Sequence, residues 1–124
     1  MPSGKENPYN MENCLFCKIA KGEIPSKKAY ENDEVLAFYD IDPQAPVHVL
    51  VIPKKHISGA NALTAEDAGV LSEMFRVANL VAKELGVAET GYRIVTNVGE
   101  DAGQSVPHMH LHVLGGRSLQ WPPG

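Results

Sequence analysis

The sequence predicts an α+β fold, a mainly antiparallel sheet with one long helix packed on it. Three observations carry that expectation. Strand-like runs outnumber helical ones, and the longest helical run sits between strands. The length, 124 residues, suits one domain with one real core.

Met1 to Asn13 is polar, with Pro2, Gly4 and Pro8, and reads as a loose tail ahead of a single domain over residues 14–124. Leu15 to Ala20 is a short helical turn, stopped by Gly22 and Pro25. Val35 to Tyr39 is a strand, and Asp40 to Pro46 a loop punctuated by two prolines. Val47 to Ile52 is a β-branched strand ending at Pro53. Its alternation sends His48, Leu50 and Ile52 to one face and Val47, Val49 and Val51 to the other. Thr64 to Leu85 is the long helix: Thr64 is a good N-cap, Glu66 and Asp67 suit the first turn, and Gly86 suits the stop. Its core stripe reads Leu71, Met74, Phe75, Ala78, Val81, Ala82 and Leu85, with Val70, Val77 and Leu80 as extra apolar surface. Tyr92 to Asn97 is a strand, Val98 to Pro107 a polar loop, and Gly115-Gly116 ends the last strand. No internal repeat, linker or second domain is visible.

A net charge of −4 argues against broad nucleic-acid or membrane-surface binding, though a single nucleotide needs only a local pocket. No apolar run approaches the roughly 20 residues of a membrane helix. The start lacks the apolar centre of a signal peptide, so a cytoplasmic setting and a reduced Cys14/Cys17 pair are expected.

Three of five histidines fall within five residues, in His108-Met109-His110-Leu111-His112-Val113-Leu114. On a strand they share one face at about 7 Å spacing, and Met109, Leu111 and Val113 share the other. Imidazole serves as base, nucleophile or metal ligand near neutral pH. The plainer reading, a solvated strand face, fits so dense a cluster poorly. Spacing alone leaves metal catalysis and direct nucleophilic catalysis level. The preceding Gly103-Gln104-Ser105-Val106 offers N–H groups and a hydroxyl for phosphate oxygens. With no P-loop and no G-x-G-x-x-G, magnesium NTPase and Rossmann readings lose support.

Further residues break the tie. Asn97-x-Gly99, Gly103-Gln104-Ser105-Val106-x-His108-x-His110-x-His112-Val113-Leu114-Gly115-Gly116-Arg117 closely resembles the histidine triad superfamily. Asp40-Ile41-x-Pro43-Gln44-Ala45-Pro46-x-His48 and Val51-Ile52-Pro53-Lys54-Lys55-His56-Ile57 resemble the same family's central segment. Gly115-Gly116-Arg117 and Trp121-Pro122-Pro123-Gly124 resemble its nucleotide-binding (Hint) branch. Pro107 departs from members with an aromatic there, and a changed loop with intact activity is expected.

That resemblance implies the histidine triad fold, a homodimer whose subunits each supply a five-stranded sheet and a long helix. It implies hydrolysis of purine nucleoside phosphoramidates, typically adenosine 5′-monophosphate joined to an amine. His110 matches the nucleophile, which would form a nucleotidyl-histidine. His112 and Ser105 match residues that contact the phosphate and help the leaving group depart. Asn97 completes the implied catalytic set, and Asn97 with Gly103, Gln104, Ser105 and Val106 matches the phosphate site. Asp40 matches the ribose binder, and Leu15, Phe16, Ile19, Phe38, Tyr39 and Ile41 the base pocket. Core packing accounts equally for Phe38 and Ile41 taken singly. A nucleotide-binding regulatory module with little turnover and a zinc hydrolase are the competing functions.

The resemblance also implies a structural zinc on Cys14, Cys17, His48 and His108, an S₂N₂ set suited to a closed tetrahedral site. An unmetallated buried cysteine pair is its main rival. The dimer is expected through the 64–85 helix and the strand from Tyr92 to Asn97, with the Trp121–Gly124 tail near the partner's active site. Catalysis itself is expected to need no cofactor.

Overall fold

A computed structural model describes residues 13–124. All but the last residue of the expected tail therefore lie outside the described residues. The elements are α1 (Leu15–Ala20), β1 (Lys28–Glu31), β2 (Val35–Tyr39), β3 (Val47–Pro53), α2 (Ala68–Glu84), β4 (Tyr92–Val95) and β5 (Leu111–Gly115). The five strands form one sheet in the order β1-β2-β3-β5-β4, every neighbouring pair antiparallel. This is the expected α+β architecture.

Alternation along the strands divides the core into two layers. Val35, Ala37, Val49, Val51, Leu111 and Val113 face α2, meeting Met74, Val77, Ala78 and Val81. Leu36, Phe38, Leu50 and Ile52 face the other way and are covered by α1 through Phe16 and Ile19. One face is thus closed by a 17-residue helix and the other by a six-residue one. Beyond the reach of α1 the second face opens beside His112, while His108 and His110 are buried against Phe16 at its margin.

Several boundaries differ from the sequence expectation. Strand β1 has no β-branched residue and pairs with β2 through a register shift between Lys28 and Tyr30, so no alternation announces it. Strand β5 begins only at Leu111, and β4 stops at Val95. Helix α2 starts at Ala68, after a 3-10 turn over Ala65–Asp67. Thr64 caps that turn reciprocally with Asp67, whose carboxylate accepts from the Thr64 N–H at 3.0 Å. Val77 is buried where Phe75 was expected, and Phe75 is 42% exposed. The helix is rotated so that Met74, Val77, Ala78 and Val81 make the contact.

Candidate functional site

The site grows from the junction of the 97–107 loop with β5. Gly99 and Gly103 hold φ of +82° and +79°, which side-chain-bearing residues rarely adopt. Gln104 pins the loop. Its Oε1 accepts from the Gly99 N–H at 3.0 Å, and its Nε2 donates to the carbonyls of Ser58 and Val106 at 2.8 and 3.0 Å. The side chain is therefore spent on main chain, and what the loop presents is Ser105 and Val106.

His110 is buried, just before β5 begins. Its Nδ1–H donates to the His108 carbonyl at 2.7 Å, so Nε2 keeps its lone pair. The Phe16 ring packs edge-on against it at 5.0 Å, and the His112 ring also lies 5.0 Å away.

His112 is wired to His48. The Gln44 N–H donates to His48 Nδ1 at 3.0 Å, which leaves the His48 proton on Nε2. That nitrogen is 2.9 Å from His112 Nδ1 and 3.4 Å from Asp40 Oδ2. Donation from His48 to His112 Nδ1 places the His112 proton on its own Nε2. Burial, then the neighbouring His110 and His48, pull His112 down to about 4, and burial also lowers His48. Asp40, His48 and His112 bring one ligand atom each within 4.8 Å of one another. Two nitrogens on a tetrahedral zinc would stand about 3.3 Å apart. The observed 2.9 Å is a hydrogen bond's length instead.

A pocket of about 260 Å³ opens in front of these rings. Leu15, Phe16, Ile19, Phe38, Leu50 and Val106 give it an apolar slot. Tyr39, Asp40, Ile41, Ser105, His110 and His112 complete its lining. Phe38 both packs in the core and lines the slot, 5.6 Å from the Phe16 ring. Ile41 is wholly exposed at the rim, so core packing does not account for it. Leu50, which sequence reasoning did not single out, shares the face of His48 by the alternation already visible there. Asn97 lies outside this lining and borders a second pocket that shares His112 with the first. Gly103 and Gln104 sit behind the lining, as supports.

A second cluster stands beneath the pocket. Cys14 Sγ is 3.3 Å from His108 Nδ1, and Cys17 Sγ is 3.3 Å from His56 Nδ1 and 3.5 Å from His108 Nδ1. The four ligand atoms lie within 4.8 Å of one another. Bond lengths near 2.3 Å for sulfur and 2.0 Å for nitrogen at a tetrahedral angle place S and N about 3.5 Å apart. The cluster thus has the dimensions of a zinc site without rearrangement. His108 Nε2–H donates to the Pro53 carbonyl at 2.8 Å, which turns Nδ1 toward the thiols. Burial pushes the Cys17 thiol up to about 12 and His108 down to about 4. Bound zinc would hold both sulfurs as thiolates and tie α1 to the sheet.

The expectation of His48 as the fourth ligand is corrected to His56. To serve as that ligand, His48 would have to reach the point where Cys14, Cys17 and His108 meet. Strands β3 and β5 are antiparallel, and His48 pairs with Leu114 at the far end of β5. From His48 to Pro53, where His108 is anchored, is about 17 Å along the strand. His56, three residues past the end of β3, is carried to the cysteines instead.

Comparison with known proteins gives the family. The HIT domain family matches residues 21–119. The chain belongs to the HIT, or histidine triad, family. An uncharacterised HIT-like protein of Synechocystis is 49% identical over 113 residues, covering 91% of this chain and 98% of the relative. A maize protein named a 14 kDa zinc-binding protein is 49% identical over 112 residues, covering 89% and 87%. The crystal structure of a HIT family hydrolase from Legionella pneumophila superposes with a TM-score of 0.89 at 52% identity, covering 90% of this chain and all of that one. The HIT family match begins after α1, so Cys14, Cys17 and the α1 side of the slot lie outside it.

Proposed function

We propose that this HIT protein hydrolyses purine nucleoside phosphoramidates through a nucleotidyl-histidine at His110. The observation that carries the reading is the His110 tautomer: Nδ1–H is held by the His108 carbonyl, and the free Nε2 lone pair stands beside an apolar slot with a carboxylate at its rim. The slot takes the base, Asp40 the ribose hydroxyls, and Ser105 with the loop N–H groups the phosphate oxygens.

His110 Nε2 attacks phosphorus as the P–N bond to the amine breaks. The phosphoramidate anion beside His112 favours an added proton on the His48–His112 pair, and that proton passes to the departing nitrogen. Water then attacks the nucleotidyl-imidazolium and its proton returns to the pair. The products are a nucleoside monophosphate and a free amine, with His110 restored. Zinc on Cys14, Cys17, His56 and His108 is read as structural, since it would use ring nitrogens that the reaction does not. The name of the Legionella structure, a hydrolase, and that of the maize relative, zinc-binding, support these two readings.

The decisive assay is adenosine 5′-phosphoramidate with and without a chelator. Adenylate release that persists under chelation supports the reading. Activity lost on chelation and restored by zinc would support a metallohydrolase. Tight nucleotide binding without turnover would support a regulatory module.

A homodimer is part of the same proposal. Among the described residues strand β4 is an unpaired sheet edge, and Phe75 stands exposed on α2. Light scattering at micromolar concentration should give twice the 13.4 kDa chain mass.

A further inference from the structure

Helix α1 forms one wall of the apolar slot, yet few ties fasten it to the molecule. Its six residues make less than two turns, too short to be stable alone in water. Among the described residues, every main-chain hydrogen bond of the segment closes within residues 14–24, and no strand pairs with it. Phe16 and Ile19 pack on Leu36, Phe38, Leu50 and Ile52. The polar ties from α1 to the rest of the chain are those of Cys14 with His108 and of Cys17 with His56 and His108. Neutral thiols are weak hydrogen-bond partners, so in the metal-free state these ties hold little. A zinc ion on the same four side chains would replace them with four coordinate bonds, two from α1 and two from beyond it.

The same short segment carries the slot. Leu15 and Phe16 lie between the two cysteines, Ile19 follows, and all three line the pocket. The Phe16 ring stands 5.6 Å from the Phe38 ring and 5.0 Å from that of His110. A short segment without main-chain ties to its sheet is of the kind that opens locally while the remainder stays folded. Opening α1 would remove the slot wall and two of the four zinc ligands in one movement. Zinc and a nucleotide therefore favour the same docked state, and two ligands that favour one state strengthen each other.

We propose that zinc and nucleotide binding are coupled through α1, so that zinc raises nucleotide affinity by holding the slot wall docked, and a nucleotide raises zinc affinity by the same factor. Phe16 carries the coupling, since it sits between both thiols and its ring reaches the slot and His110. Zinc supply then regulates substrate binding while the metal stays outside the chemistry. This rests on the reading of the slot as the nucleotide site.

The test measures both affinities on the full chain. Adenosine 5′-monophosphate should bind the zinc-loaded protein about fivefold or more tighter than the zinc-free protein. Zinc affinity, read by competition with a chelating dye, should rise by the same factor when adenylate is saturating. The second measurement starts from loaded protein, so it decides even if the zinc-free chain unfolds. Phe16→Ala should cut both factors to about twofold or less while zinc is still taken up, and Phe16→Leu should keep more of them. Each factor is a ratio within one variant, so a general loss of affinity cancels. Affinities independent of the other ligand in both directions overturn the coupling and leave the slot reading standing. Factors unmoved in both Phe16 variants overturn its route through α1, and a chain that takes up no zinc overturns the coupling outright. Adenylate that binds neither form overturns the slot reading and the coupling with it.

Discussion

The two faces of the sheet are built from the same strands and do different work. On β5, Leu111 and Val113 are completely buried against α2, while the intervening His112 turns to the open face and joins His48. On β3, Val49 and Val51 point to α2, and His48 and Leu50 to the site. The helix face is apolar and closed. The histidine face combines buried rings, a thiol pair and a pocket. One side is wholly apolar packing and the other mixes a smaller apolar cluster with polar rings, one residue apart along the chain.

The sharpest way to break that comparison is to change neighbours on opposite faces. His110→Asn should lower phosphoramidate turnover by about 10³-fold or more while leaving the thermal midpoint nearly unchanged. Leu111→Ala should do the reverse, costing about 2–5 kcal/mol of stability by cavity formation, with turnover per folded molecule retained. Activity and urea unfolding measured on both variants would separate the faces, and equal losses in both would merge them.

Metal content sharpens the histidine face into two parts. Protein purified without chelator should carry about one zinc per chain. Cys14→Ser and His56→Ala should remove it and lower the midpoint, whereas His48→Ala should keep the zinc and lose turnover. Elemental analysis of the three variants checks the assignment.

Mild acid should act first on this face, above the range in which the ion-paired carboxylates of Glu31, Asp67 and Glu73 are protonated. Burial holds His48, His56, His108 and His112 below the ordinary histidine range, the last two to about 4. Between about pH 6.5 and 4 the unfolded chain takes up protons that the folded one refuses. Stability should therefore fall as pH drops through that window and stay level between about pH 7 and 8, below the range in which an unfolded thiol ionises and the buried Cys17 does not. Unfolding curves of zinc-free protein from pH 7.5 to 4.5 would show it, and a flat profile would contradict it.

The smallest effect is expected at Gln104. Gln104→Ala frees the Gly99 N–H and the Ser58 carbonyl, while the Val106 carbonyl keeps the His108 N–H, and should cost about 1 kcal/mol, since these groups lie near solvent. The change should raise KM more than it lowers kcat, and should speed hydrogen exchange at Gly99.

What was legible in the sequence follows the same division. Strand β2 and the start of β3 match their expected positions because β-branched and aromatic alternation marks them. Strand β1 was missed because Lys28-Ala29-Tyr30-Glu31 has no such pattern, and its pairing is supplied by β2. The helix stripe misplaced Phe75 and Val77, since apolar residues outside one stripe leave the rotation about the axis undetermined. The histidine strand was expected from His108, but His108 to His110 are held by Pro53, Ile57 and one another before ladder pairing begins. His56 escaped detection for a topological reason: which of two histidines reaches the cysteines depends on the antiparallel run of β3 and β5, and spacing does not encode it. The apolar slot was read through resemblance, and every residue expected there lines the pocket.

His108 serves both parts of the histidine face with different atoms. Its ring meets the cysteines, and its carbonyl holds the His110 proton. The two contributions are inherited separately. A chain that held no metal there could replace the ring with any side chain of fitting shape and keep the His110 tautomer, because every amino acid carries that carbonyl. A deletion at the same position would shift the carbonyl away from His110 and disable both. The position is therefore open to substitution and closed to changes of length.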